Sequence, residues 1–351
     1  MNFPNPADCL ENEDLGNGWR VMKKINPHPA STGGHFSVGY TVQHNVSGKV
    51  AFLKALDFTA AFQARDFARA LQAMTAGFNF ERDLLVKCDR HHMRRILTPL
   101  ADGTHTVSSC IGPLREVHYL IFDMAEGDIR KHKAELDRID LAWCLRSMHH
   151  AAVGIMELHS KEIAHQDVKP SNVLTFGKAG SKLSDLGRAF DPEQSADHDN
   201  FQIPGDRTYA PLELFYGLID RNGIDSRKAI DLYALGNLIF FHFCGISATQ
   251  GIHSKLKIAN VPIAGRDFDQ DLPYFQQAFG ELLGELDREV AKFTIEFRDK
   301  IIQIARELCN PNPDQRGDPK WRSHLHIPRY SVERYVSRFN LLARKAELGI
   351  I

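Results

Sequence analysis

The spacing of hydrophobic residues changes character along the chain. In segments 38–42 and 50–56, β-branched and aliphatic residues cluster between turn-forming residues, as they do in strands. From residue 58 to residue 88 the apolar positions follow a helical spacing, and segment 117–124 is another apolar strand. The first third is therefore predicted to combine strands with one main helix.

Beyond Gly127 the pattern is mainly helical. Apolar residues recur at spacings of three and four in segments 141–156, 232–243 and 332–342, which is typical of helices that bury one face. A strand-rich first part followed by a helix-rich second part predicts an α+β fold with two lobes. The smaller, β-rich lobe would come first and the larger, mostly helical lobe second.

The composition of the 351 residues is that of a globular protein, with 43% hydrophobic and 25% charged residues. A formal net charge of −1 gives no overall attraction to nucleic acid or to a membrane surface. The six cysteines are scattered without a CxxC pair, which favours free thiols in a reducing compartment. Residues 1–15 lack the pattern of a signal peptide, and the apolar stretch 232–246 is too short and interrupted for a membrane span. We therefore expect a cytoplasmic protein without nucleic acid or membrane partners.

The strongest chemical signal is the segment HQDVKPSN, which contains Asp167, Lys169 and Asn172 and is followed by Asp185 in the triplet DLG. Phosphoryl transfer from ATP requires an aligned acceptor oxygen, a divalent metal on the phosphates and positive charge near the transferred group. Asp167 can accept the proton of a substrate hydroxyl, and Lys169 can neutralise the phosphoryl oxygens. Asn172 and Asp185 offer the hard oxygen ligands that Mg²⁺ prefers.

These two motifs resemble the catalytic loop and the metal-binding triplet of the eukaryotic-like serine/threonine protein kinase family. The resemblance implies a bilobal kinase fold, ATP and Mg²⁺ as cofactors, and a serine or threonine hydroxyl of a protein substrate as the acceptor. It leaves autophosphorylation open. It also divides the chain into an irregular segment 1–15, an N-lobe 16–122, a C-lobe 123–330 and a basic amphipathic helix 331–351, all within one kinase domain.

Other parts of the family pattern occur in the expected order. Lys54 occupies the position of the lysine that binds the α- and β-phosphates, and Glu81 that of its glutamate partner. Glu213, in the segment GDRTYAPLE, resembles the glutamate that pairs with a late arginine, here Arg316. Asp231 resembles the buried aspartate that accepts hydrogen bonds from the catalytic-loop backbone. The resemblance therefore implies catalytic roles for Asp167, Lys169, Lys54 and Glu81.

The resemblance also implies a nucleotide-binding set, which is Gly34, Phe36, Ser37, Lys54, Phe122, Asp123, Ala125 and Asp128. Phe122 would be the bulky residue at the back of the adenine pocket. The backbone of Asp123 and Ala125 would hydrogen-bond adenine, and Asp128 would reach the ribose.

Four departures from the family pattern affect these expectations. The glycine-rich loop lacks several of the expected glycines, and Phe52 replaces a small residue above the adenine, where a large ring can narrow the pocket. Gln166 replaces the arginine that holds a phosphorylated activation segment, which predicts activity without that phosphorylation. Asp206 replaces a threonine, and the sequence leaves open whether it pairs with Lys169 or Arg207.

Two alternatives belong to other functional classes. A pseudokinase or scaffold module would bind partners without turnover, but such proteins usually lose one of the four key residues that this chain keeps, namely Lys54, Asp167, Asn172 and Asp185. A small-molecule kinase shares the fold but usually lacks counterparts of Lys169, Glu213 and Arg316. These residues also favour a serine/threonine kinase over a tyrosine kinase.

The last part of the chain is basic. Residues 320–351 carry seven lysines and arginines against two glutamates. Either this segment packs on the larger lobe with a solvated basic face, or it docks onto an acidic partner or substrate. The sequence favours packing and leaves docking open.

Overall fold

A computed structural model describes residues 5–26, 37–108, 110, 115–135, 138–220, 223–259, 267–323 and 328–351. Contacts between residues divide the chain into two units, Met1–Glu126 and Gly127–Ile351.

Among its described residues, the first unit contains one five-stranded antiparallel sheet with the strand order β1-β2-β3-β5-β4. The strands are β1 (Trp19–Ile25), β2 (Ser37–His44), β3 (Val50–Leu56), β4 (Ala101–Thr106) and β5 (Glu116–Asp123). Burial alternates along β2, where Val38, Tyr40 and Val42 face the core. The strands predicted over 38–42 and 50–56 are therefore confirmed.

The helical region of the first unit is divided in two, α1 (Thr59–Gln63) and α2 (Phe67–Arg90). The prediction of one helical region over residues 58–88 is wrong at residues 64–66. A new helix begins there because the carboxylate of Asp66 accepts the backbone N–H of Arg69 at 3.0 Å, which caps the first turn of α2. Sequence periodicity does not reveal this break, since both helices contribute apolar residues at similar spacing.

The described part of the second unit is mainly helical. Its helices are α3 (Ile129–Ala134), α4 (Leu141–His159), α5 (Ile224–Cys244), α6 (Ala248–Ile258), α7 (Phe268–Val290), α8 (Ile295–Leu308), α9 (Pro319–Arg322) and α10 (Glu333–Glu347). The central helix α5 lies against α4, α6, α7 and α8 and is buried on most sides. The helix predicted over segment 232–243 is present, and it buries more than the one face that was expected, as a helix inside a core does.

A small antiparallel sheet of the second unit contains β6 (Gly127–Asp128), β7 (Val173–Thr175) and β8 (Ser181–Leu183). Val173 pairs with Leu183, so β7 and β8 form an antiparallel hairpin. A short 3-10 turn, Pro170–Asn172, leads directly into β7.

Within the described residues, no individual helix combines the length and the apolar composition of a membrane span. Only α5 and α6 taken together meet both criteria, and they are bent by 71° at the break between them.

The basic C-terminal helix α10 packs against α4 and buries Tyr335 and Phe339 completely. Its cations form ion pairs within the same unit: Arg334 with Asp318, Arg338 with Glu307 and Lys345 with Glu296, at 2.7, 2.5 and 2.5 Å. The structure thus shows the packing arrangement that the sequence favoured. The charge of these three residues is largely balanced by their partners.

Candidate active site

Asp231, on α5, holds the loop that contains Asp167 through hydrogen bonds. The Asp231 carboxylate is fully buried and accepts the backbone N–H groups of His165 at 2.8 Å and Gln166 at 2.7 Å. It also accepts a hydrogen bond from Nε2 of His159 at 2.9 Å. Hydrogen bonds to a buried carboxylate are strong, and here they fix the loop on a core helix. The role that the sequence resemblance implied for Asp231 is confirmed by these contacts.

Asp167 is only 7% exposed and is held on both carboxylate oxygens. Oδ2 lies 2.9 Å from Nζ of Lys169 and accepts the side-chain amide of Asn172 at 3.1 Å. Oδ1 accepts the backbone N–H of Asp206 at 2.8 Å. The carboxylate is therefore fixed in one orientation by groups that are two, five and thirty-nine residues away in the sequence.

The electrostatics of this cluster follow from its burial. Burial raises the pKa of the Asp167 carboxyl, and the adjacent Lys169 opposes that effect. Burial disfavours the charged form of Lys169, but the carboxylates of Asp167, Asp206 and Asp185 together outweigh it and raise the pKa of Lys169. For Asp206, burial is outweighed by hydrogen bonds from Thr208 and by Lys169, so its pKa is lowered. Lys169 thus remains a cation between two carboxylates.

The open question about Asp206 is settled by geometry. Its carboxylate lies 3.5 Å from Nζ of Lys169, while Oδ1 accepts both the backbone N–H and the hydroxyl of Thr208. Arg207 instead lies over the ring of Phe215, with 5.1 Å between the guanidinium carbon and the ring centroid. Asp206 therefore pairs with Lys169.

Asn172 and Asp185 are brought together by the β7–β8 hairpin. Ser184, the residue before Asp185, donates its backbone N–H to the carbonyl of Asn172 at 2.9 Å. The side-chain amide of Asn172 donates to the backbone carbonyl and the carboxylate of Asp167, so its oxygen points away from them. Asp185 is exposed and has a φ of 64°, a conformation that non-glycine residues seldom adopt. Such strain is common at functional sites.

Lys54 and Glu81 lie in the first unit and form an ion pair. Nζ of Lys54, on β3, lies 2.8 Å from each carboxylate oxygen of Glu81, on α2. Glu81 is 7% exposed, which places this pair at the edge of the core of that unit. The predicted pairing is present, and the predicted contact with nucleotide phosphates stays a prediction.

The predicted nucleotide-binding residues are only partly described. Gly34 and Phe36 lie outside the described residues, and Ser37 is the first residue of β2. Phe122 is buried in β5 and Asp123 ends that strand, with its side chain 2.7 Å from Nζ of Lys49. Ala125 follows and is half-buried. The nucleotide contacts expected of these residues therefore stay predictions.

Asp128 is engaged within its own helix. Its carboxylate caps α3 by accepting the N–H groups of Arg130 and Lys131, and it also binds the Arg130 guanidinium at 2.8 Å. Contact with a ribose would require Asp128 to share these interactions. That role stays a prediction.

Phe52 packs against the neighbouring strand. It pairs with Phe122 of β5 in the sheet, and its ring lies so close to Gly39 of β2 that a Cβ at Gly39 would be 2.9 Å from a ring atom. The ring therefore occupies the space that the missing side chain of Gly39 leaves.

Comparisons with known proteins agree with this geometry. The family described as "Protein kinase domain" matches residues 33–324 of the chain. The chain belongs to the protein kinase family. Members of this family use ATP and a divalent metal, and the fold is of the α+β class that the sequence predicted.

Curated relatives of this kinase-family chain are distant. Serine/threonine-protein kinase/endoribonuclease IRE1 of Oryza sativa subsp. japonica is 28% identical over 193 residues, which are 54% of this chain and 18% of that protein. Aurora kinase of Debaryomyces hansenii is 24% identical, over 69% of this chain and 55% of its own length. Death-associated protein kinase 2 of Mus musculus is 23% identical, over 76% of this chain and 68% of its own. The chain thus spans about a fifth of the length of the first of these relatives and about half of the length of the second.

A buried ion pair joins Glu213, in the segment GDRTYAPLE, to Arg316. Arg316 is fully buried and binds Glu213 through two hydrogen bonds, from Nη1 to Oε1 at 2.6 Å and from Nη2 to Oε2 at 3.0 Å. The guanidinium also donates to the backbone carbonyls of Asn310 and Ala229. The predicted pairing of these two residues is confirmed.

Two residues of the site were given no role on the basis of the sequence, although Gly205 is part of the segment GDRTYAPLE. A Cβ on Gly205 would lie 2.3 Å from the carbonyl oxygen of Gln166 and 2.9 Å from Oδ1 of Asp167, so only glycine permits this close approach. Arg227 is completely buried and contacts Gln166. Its signal in the sequence is a cation one helical turn before Asp231, on the same face of an apolar helix.

Proposed function

We propose that this chain is a serine/threonine protein kinase that transfers the γ-phosphoryl group of ATP to a hydroxyl of a protein substrate. The observation that carries the proposal is the fixed, buried carboxylate of Asp167, held by Lys169, Asn172 and the backbone of Asp206. Several relatives, IRE1 of Oryza sativa subsp. japonica among them, are named as serine/threonine-protein kinases, which supports the acceptor class.

In this proposal Asp167 accepts the proton of the substrate hydroxyl. A carboxylate whose pKa is raised by burial is a stronger base than one in water, which suits proton transfer near neutral pH. Because three donors fix its orientation, the carboxylate is already aligned before the substrate binds. Lys169, 2.9 Å from Asp167, is placed to neutralise negative charge on the transferred group.

Asn172 and Asp185 are the proposed ligands of the metal. The donor set fits Mg²⁺, because the Asn172 amide nitrogen is committed to Asp167. The Asn172 side-chain oxygen accepts the Ser171 hydroxyl at 3.3 Å and keeps a second lone pair for a ligand, and Asp185 adds an exposed carboxylate. When bound, Mg²⁺ and ATP would supply the phosphoryl group and neutralise its charge. Lys54, oriented by Glu81 at 2.8 Å, is the proposed ligand of the α- and β-phosphates.

The proposal is tested by phosphate transfer from radiolabelled Mg²⁺·ATP to a generic basic protein and to the kinase itself. Wild type is compared with Asp167→Asn and Asp185→Asn, which keep the side-chain shape and remove the charge. Asp197→Asn is the matched control, since Asp197 is an exposed aspartate of the segment that follows Asp185. Loss of the base is expected to lower kcat by roughly 10²- to 10⁴-fold.

The expected result is transfer to serine or threonine that both active-site variants lose and the control retains. Transfer to small molecules only would contradict the protein acceptor. Absence of both transfer and ATP-dependent thermal stabilisation would contradict the kinase activity and favour a scaffold role, with Phe52 as the first residue to replace.

A further inference from the structure

Arg227, at the start of α5, is a large cation that is completely inaccessible to solvent. A buried charge is costly unless it is hydrogen-bonded and compensated. The contacts of this side chain therefore indicate which parts of the fold depend on it.

Arg227 binds the residue directly before the proposed base. Its Nη1 donates to Oε1 of Gln166 at 2.6 Å. Gln166 is itself 4% exposed and has a φ of 61°, so its backbone is held in a strained left-handed conformation next to Asp167. A change in the Gln166 side chain is therefore transmitted directly to the backbone of Asp167.

Arg227 also binds the stretch that follows the proposed metal ligand, residues 188–200, here called the 188–200 segment. Nη2 of Arg227 donates to the backbone carbonyl of Asp199 at 3.2 Å, and Nη1 lies 4.0 Å from Oδ1 of the same residue. That carboxylate oxygen is buried and has no hydrogen-bond donor among the described residues, so it faces the guanidinium as its counter-charge. The guanidinium carbon also lies 4.0 Å from the ring centroid of Phe190.

The 188–200 segment is attached to the catalytic loop at two further points. Nε2 of Gln166 donates to the carbonyl of Arg188 at 2.9 Å. Ala164 and Phe190 exchange two backbone hydrogen bonds at 3.0 and 2.8 Å. Arg227 is thus a bridge between α5, the catalytic loop and this segment.

We propose that Arg227 is a positioning residue that holds the catalytic loop and the 188–200 segment in their working arrangement, with Asp199 as an internal anion in place of a phosphate. This inference rests on the proposed kinase function and concerns its regulation. It explains how the chain can function with glutamine instead of arginine at position 166. Arg227 of α5 supplies the cation, and Asp199 of the 188–200 segment supplies the anion. The exposed Ser195 then needs no phosphate for activity.

The test compares phosphatase-treated wild type with Arg227→Met, Arg227→Lys and Lys228→Met in the full chain. Lys228 is the matched control because it is the next residue of α5, is 6% exposed and forms its own ion pair with Glu162 at 2.9 Å. Both methionine variants remove one buried cation from the same helix turn. Only Arg227→Met removes contacts with the catalytic loop and the 188–200 segment.

We expect Arg227→Met to lower kcat roughly 10- to 100-fold, the effect of losing charge-assisted hydrogen bonds, with the KM for ATP changed by less than about 2-fold. Amide hydrogen exchange in residues 164–167 and 188–200 should become faster in this variant and stay unchanged in Lys228→Met. Arg227→Lys, which keeps the charge and loses the fork of donors, should fall between. Phosphatase-treated wild type should keep its kcat.

Several results would overturn the proposal. The first is an Arg227→Met variant with the kcat and the amide hydrogen exchange of the wild type, and the second is a loss of kcat in Lys228→Met as large as that in Arg227→Met. If Arg227→Met does not fold, wild-type kcat and exchange in Arg227→Lys would overturn it. Loss of wild-type activity on phosphatase treatment would do so as well. If no protein, wild type included, transfers phosphate, the proposed function fails instead. Hydrogen exchange then still decides the role of Arg227, because it requires no turnover.

Discussion

Replacing Arg316 with methionine is expected to be among the most destabilising single changes in the second unit. The substitution leaves the Glu213 carboxylate, 4% exposed, without its two charged donors at 2.6 and 3.0 Å. Removing one partner of a buried ion pair costs about 3–5 kcal/mol, because the other charge stays buried. The carbonyl of Asn310, which accepts from the guanidinium at 3.0 Å, also loses a donor.

For a unit of this length, 1 kcal/mol corresponds to roughly 2–4 °C in Tm, so the expected fall is about 6–20 °C. The free energy of unfolding is measured by urea denaturation, with the slope of the transition unchanged. Arg329→Met is the control, because Arg329 forms an exposed ion pair with Asp314 at 2.8 Å, and such pairs contribute about 0–1 kcal/mol.

The double variant Glu213→Leu/Arg316→Met gives the sharper test. It leaves no uncompensated charge, so it should recover at least about 2 kcal/mol of the loss, since apolar replacement of a whole buried pair is often close to neutral. A loss below about 1 kcal/mol in Arg316→Met would refute the reasoning. A double variant as unstable as the single one would show that the lost carbonyl contacts, rather than the stranded charge, set the cost.

Three further predictions concern single positions. Gly205→Ala should lower kcat by at least about tenfold, because its Cβ would displace Asp167, whereas Gly280→Ala, with no atom within 4 Å, should leave kcat unchanged in the same transfer assay. Burial lowers the pKa of His242 from its ordinary 6.5 to about 3, so the stability that the neutral ring contributes is complete above pH 6.5 and is lost as the pH falls towards 3. His242→Gln should therefore reduce the loss of unfolding free energy between pH 7 and pH 5 by about 2 kcal/mol in urea titrations, and an unchanged pH profile would contradict this. Phe339→Ala should lower the free energy of unfolding by about 3–5 kcal/mol, whereas an unchanged Tm would mean that α10 is not integral to the second unit.

The sequence determined the parts of the fold that depend on local pattern. Alternation along β2 and β3 and the apolar stripes of α4 and α10 identify their elements, because strand and helix periods are properties of neighbouring residues. The spacing of Asp167, Lys169 and Asn172 is equally local, since a short loop can bring residues two and five positions apart into contact. The Asp167–Lys169 and Asp167–Asn172 contacts could therefore be anticipated from the sequence.

Tertiary packing decided which residues that are distant in the sequence come into contact. Asp206 had two cationic partners available, and the approach of Gly205 to the catalytic loop placed it beside Lys169. Arg227 meets Gln166 across 61 residues of chain, and no local pattern reports that contact. The physical reason is that the cost of burying a charge depends on every group packed around it, and those groups come together only in the folded unit.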